Sequence, residues 1–272
     1  MKLLLSILFL LSFNCFAQSN GVIRRNWQKA QELRMAREKI REFNNRIRVT
    51  ADGYMNQGQT GSCWLMASVN GNYHKYNSKV QAYCAQRNIP NCSAKVIMDK
   101  VVKCLKNKHG VISLSKKLFK GANFPYVADC KRSAMNDFNI HRETITSHPV
   151  RNNLPENHGA PRLPNTDNHA DPELESHAFI QLPVSPQYIH DLASFYSQGD
   201  QVVLSLVINE GKSDEYLQDV LVTDMIVDGS YFHITILDSA GGRESNIILN
   251  EDGKVSGYGR DIINLGKIIT IK

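Results

Sequence analysis

No stretch of about 18 consecutive apolar residues occurs in this 272-residue chain, so nothing in it reads as a membrane-spanning helix. Also missing is any interleaving of aromatic with basic side chains, which a single-stranded nucleic-acid groove would need. The basic residues gather in residues 24–48, and the formal charge of +6 is a mild bias that favours solubility and weak anion attraction. Metal-ligand spacing is lacking too. His148, His158, His169 and His177, with Asp167 and Asp171, form neither a compact helical pair nor a finger pattern, so they read as a solvated loop. No metal or organic cofactor is expected, nor a nucleic-acid partner.

What is present begins with an export signal. Residues 1–17 carry one lysine, a largely apolar stretch over residues 3–11 and a small residue at the end of Cys15-Phe16-Ala17, the pattern of a secretory signal peptide. A periplasmic or extracellular location follows as the expectation. Its removal leaves 255 of the 272 residues, enough for one large domain or two closely packed lobes. Cysteine becomes odd in number at the same point, since Cys63, Cys84, Cys92, Cys104 and Cys130 remain. In an oxidising compartment the simplest count is two disulfides and one free thiol. Cys63 is the expected free thiol. Cys84 with Cys92 would close a short loop and Cys104 with Cys130 would tie a helix to a downstream loop, although other connectivities satisfy the same count.

Periodicity sorts the rest into helices first and strands later. Residues 24–48 hold no Gly or Pro, and Trp27, Ala30, Leu33, Ala36, Ile40, Phe43 and Ile47 recur at three or four residues. They predict one charged helix with a narrow packing stripe. Helices are also expected at 62–79, 94–106 and 185–197. Residues 143–176, rich in Asn, Pro and His, predict a long exposed loop. Strands are expected at 201–209, 220–227, 231–238, 246–250 and 268–271. The division is therefore 1–17 leader, 18–50 N-terminal helix, 51–142 helical lobe, 143–176 loop and 177–272 β-rich lobe. The fold class is α+β, with an antiparallel sheet or half-barrel as the second lobe.

Gln57-Gly58-Gln59-Thr60-Gly61-Ser62-Cys63-Trp64 is the segment richest in chemistry. Ser62 can cap a helix whose first turn carries the Cys63 thiol, where unpaired N–H groups and the helix dipole favour thiolate. The segment resembles the active-site signature of papain-like cysteine proteases, Gln-Gly-x-Cys-Gly-Ser-Cys-Trp, with Thr60 in place of the first cysteine. Phe124-Pro125-Tyr126 followed by Cys130 is similar to a stretch of that family's helical lobe. The resemblance implies Gln57 as oxyanion donor, Cys63 as nucleophile and an autoinhibitory role for the N-terminal helix, whose plainer reading is a docked helix. It also implies a histidine on a strand well over a hundred residues downstream.

His233, on the strand expected at 231–238, fits that description better than His177, which precedes the helix and strand that should come first. A two-residue turn at Gly241-Gly242 would set Asn250 directly opposite His233, where its amide could orient the imidazole. Asp238 and Asp252 are alternative orienting acceptors. The family's tryptophan after the asparagine is replaced by Glu251-Asp252. The implied activity is hydrolysis of peptide bonds in a peptide or protein substrate through Cys63, His233 and Asn250 and a thioester intermediate. An amidase or acyltransferase could use the same triad, and a catalytically inactive papain-like binding protein is the reading from another class.

Overall fold

The computed structural model describes residues 2–58, 62–117, 127–141, 144–152, 154, 179–240, 242–259 and 263–272. Thr60 and Gly61 of the cysteine motif, Phe124-Pro125-Tyr126, Gly241, and His158, His169 and His177 lie outside these residues.

Helix α1 (Lys2–Arg46) is longer than the 24–48 pattern predicts, and only its C-terminal part uses the apolar stripe. Ala36 and Phe43 are buried, and Ile40 and Ile47 pack against the same core. Every residue from 24 to 32 is exposed. After two short strands, β1 (Arg48–Val49) and β2 (Met55–Asn56), the chain enters α2 (Cys63–Lys75), α3 (Asn77–Gln86), α4 (Ala94–Lys117) and α5 (Val127–Asn136). The single helix expected at 62–79 is thus two. Tyr76, at φ −115 and ψ 24, leaves the helical region between them. Helix α1 docks on α4, and Phe43, Leu65, Met66, Val69, Ile97, Met98, Val101 and Leu105 make one buried core. Both expected disulfides are present, Cys84–Cys92 and Cys104–Cys130, leaving Cys63 free. They are consistent with an extracytoplasmic location. Among the described residues no helix is long and apolar enough to cross a membrane.

Part of the segment expected as an exposed loop is strand. β3 (Ile145–Pro149) is largely buried, and its sequence Ile-Thr-Ser-His-Pro, with only one strongly apolar side chain, carries no strand signal. Then come β4 (Phe179–Gln181), α6 (Tyr188–Ser197), β5 (Gln201–Ile208), β6 (Tyr216–Asp228), β7 (Tyr231–Asp238), β8 (Arg243–Asn250), β9 (Lys254–Ser256) and β10 (Ile263–Ile271). The sheet order is β4-β3-β10-β5-β6-β7-β8-β9, and β9 pairs back onto β10. Six antiparallel strands therefore close on themselves, and the half-barrel expected from sequence is a full barrel with β3 and β4 outside it. Its interior is filled by Leu204, Val220, Val222, Ile234, Ile236, Ile247, Leu249 and Ile268, each contributing about 1.5–3 kcal/mol by burial.

The outer face of β5, β6 and β10 packs on α2. Ala67 meets Val203, Leu221, Leu237, Ile269 and Ile271 in a third apolar cluster that joins the helical lobe to the barrel. Gly71 permits this approach. A Cβ there would stand 2.8 Å from Gln201 Cγ and 3.4 Å from Leu221 Cδ1.

Candidate functional site

The first turn of α2 rests over β6, and this contact fixes the environment of Cys63. The residue is fully buried, with its sulfur 3.7 Å from Asp219 Oδ2 and 3.9 Å from the Leu217 carbonyl oxygen. Asp219 is itself fully buried and accepts a hydrogen bond from Ser205, its cross-strand partner on β5. Burial pushes the Cys63 thiol well up, and the adjacent carboxylate pushes it further in the same direction. The helix-start effect expected to favour thiolate is overridden. Ser62 makes no side-chain capping bond either, since its φ of −107 and ψ of 27 are not the extended geometry that aims a hydroxyl at the first-turn N–H groups.

Gln57 is also buried, just after β2. Its backbone N–H donates to the Ser239 carbonyl at 2.8 Å, and its Oε1 accepts from the Ser239 hydroxyl at 3.1 Å. The loop after β7 is thereby pinned to the cysteine motif. Gly58 adopts φ +59, and a Cβ there would lie 2.9 Å from the Arg46 carbonyl oxygen, so glycine is required where the motif passes the end of α1.

His233 and Asn250 are not at this site. His233 pairs with Ile226 on β6 and Ile248 on β8, and it is exposed. Ile226 lies seven positions along β6 from Asp219, which touches Cys63, so at ~3.3 Å per residue the imidazole is roughly 20 Å from the thiol. Asn250 pairs with Tyr231, and its side chain accepts from the Lys254 backbone N–H at 2.8 Å. The expected register fails because the connection is four residues, 239–242, between the paired Asp238 and Arg243. Ser239 is held by Gln57, and Asp238 Oδ1 accepts from the Ala240 N–H, which opens the turn beyond two residues. A slip of two keeps every side chain on its face but changes every partner.

Asp238, one of the alternative acceptors, accepts from Gln218 Nε2 at 2.8 Å and from the Tyr258 hydroxyl. It does not orient His233. Asp219 is the residue that sequence reasoning missed. Strand β6 begins at Tyr216, four residues before the expected start, because Gln218 and Asp219 interrupt the apolar run that marks it. Extending the alternation back from Leu221 would have put Asp219 on the face that meets α2.

Among the described residues no three His, Cys, Asp or Glu side chains converge as a metal site. The chain matches no known protein family, no curated protein and no solved structure.

Proposed function

We propose that this chain is an exported papain-like scaffold that acts by binding and does not hydrolyse peptide bonds. The observation that carries the reading is the buried Asp219 carboxylate 3.7 Å from the Cys63 sulfur. A cysteine nucleophile needs a neighbour that stabilises thiolate and can pass a proton to a leaving group, which a histidine does. A carboxylate beside the thiol does the reverse. It opposes a second negative charge, and burial opposes any charge at all. Papain-like kinship rests on the spacing of Gln57, Gly58, Ser62, Cys63 and Trp64, on the cysteine at the start of a buried helix, and on the packing of a helical region against an antiparallel barrel.

The test is alkylation of folded protein with iodoacetamide, followed by intact mass and peptide mapping of Cys63. At neutral pH the native thiol should react at least ~10-fold more slowly than the same thiol in urea, because burial both blocks the reagent and holds the sulfur protonated. Native labelling at pH 6 that outruns the unfolded control would overturn the proposal and restore the peptidase or amidase reading.

A further inference from the structure

Strand β3 carries a histidine into the interior beneath helix α6. That helix is ten residues long, and its N-cap residue Gln187 makes no side-chain capping bond. An isolated helix of this length is marginal in water, so α6 owes its form to docking. Ile189 and Leu192 anchor it in the core that fills the barrel. Beside them the ring of His148 lies tilted at 34° against Phe195 and edge-on, at 73°, to Tyr188.

The imidazole is enclosed, and only one of its nitrogens is engaged. Nε2 meets the Thr270 hydroxyl on β10, whereas Nδ1 is buried with no hydrogen-bond partner among the described residues. A neutral ring can leave Nδ1 as an idle acceptor. A protonated ring carries a charge and two N–H donors, and the second donor would find no acceptor here. The charged neighbours do not rescue it. Asp191 on α6 is partly exposed, so solvent screens its pull. Asp200, just before β5, is already paired with Lys272 at 3.5 Å, and Lys272, just past β10, repels a second cation. Strand β4 brings no charged side chain, and α6 adds only the Tyr188 phenol. Burial outweighs the two carboxylates and holds the His148 pKa below its ordinary value. At the far end of the helix Gly199 adopts φ +78, and a Cβ there would meet nothing within 4 Å. The link to β5 thus has glycine's freedom and open space in which to turn.

We infer that α6 is an acid-released latch: when His148 takes a second proton, the helix lifts from β3 and β10, pivoting near Gly199 and exposing Tyr188, Leu192 and Phe195. Release hydrates the imidazolium and lets both N–H groups meet water. Lifted, the histidine has its ordinary pKa; docked, a lower one. The docked helix is therefore fully favoured above about pH 6.5 and loses ground as pH falls through the docked value. No residue of the Cys63 site takes part, so a reactive cysteine would leave the latch standing.

Native-state hydrogen exchange of the full exported chain, read by mass spectrometry at pH 7 and pH 5 and corrected for intrinsic rates, tests this. Protection of the amides in α6 should fall at least ~5-fold, with a ceiling of about 30-fold because pH 5 lies about 1.5 units below the ordinary histidine value. At pH 5 their exchange should depend only weakly on urea, the mark of a local opening, while amides of α2 and β5 keep the steep dependence of global unfolding. His148→Phe, which retains a ring in the same place, should cut the α6 response below about twofold, and His190→Gln, an exposed position on the same helix, should leave it intact. Unchanged α6 protection in wild type at pH 5, or α6 exchange that follows the urea dependence of β5, would overturn the inference with no variant needed. A folded His148→Phe chain that keeps the full response would do so too.

Discussion

At Cys63 and His148 the fold imposes the same preference on two different groups, keeping each uncharged. For Cys63 the cause is burial reinforced by Asp219. For His148, on β3, burial dominates; Asp191 and Asp200 pull toward the charged form and Lys272 pushes against it. Its Nε2 meets the Thr270 hydroxyl at 3.1 Å, and its ring lies 4.5 Å from that of Phe195 and 5.1 Å from that of Tyr188, centre to centre. A histidine whose pKa is lowered by folding takes up its proton first in the unfolded chain. Stability from this group is therefore complete above the unfolded value near 6.5 and is lost as pH falls through the folded one. His148→Phe, which keeps a ring against Phe195, should show a smaller drop in melting temperature between pH 7 and pH 5 than wild type, measured by circular dichroism. Sequence could not disclose this residue, because its burial depends on β10 and α6, which join β3 from over a hundred and about forty residues away. Cys63 was legible from its motif and from the odd cysteine count. Its partner was not, since nothing local to Cys63 says which strand will face it.

Helix α2 is the element on which the two halves of the molecule turn. One side of it carries Leu65, Met66 and Val69 into the helical core, and the other lies on β5 and β6 through Ala67 and Gly71. Gly71→Ala would normally add helix propensity, a gain of ~1 kcal/mol. Here the new methyl meets Gln201, whose Nε2 is committed to the Val222 carbonyl, so the substitution should instead cost about 1–3 kcal/mol. Urea unfolding that gave the alanine variant an unchanged or higher midpoint would contradict this account of the helix–sheet contact. Strands β5, β7 and β8 were legible in the sequence from their apolar, β-branched runs. The β7–β8 register was not visible, because the loop length is set by Gln57, a residue about 180 positions away in the chain. Turn residues such as Gly-Gly allow a two-residue hairpin without compelling one.

For the molecule as a whole, the disulfides and the barrel divide the work of restraint. The helical region has both bridges, at sequence separations of 8 and 26, while the barrel has none and closes instead through β9 and β10. Loop-closure entropy makes the longer bridge the more stabilising, by about 1 kcal/mol. Replacing Cys104 and Cys130 with serine should accordingly lower the denaturation midpoint more than replacing Cys84 and Cys92, and equal losses would argue against this ranking. The full burial of Cys63 has one more effect, on the fidelity of oxidative folding. The five cysteines after residue 17 can form two bridges in 15 ways, from five choices of the odd one and three pairings of the rest. Shuffling among them needs an accessible thiolate to attack a bridge. Once α2 has seated against β6, the free thiol of Cys63 is sealed away and kept protonated, so it cannot start that reaction and the native pairing is locked by the tertiary contact between lobes.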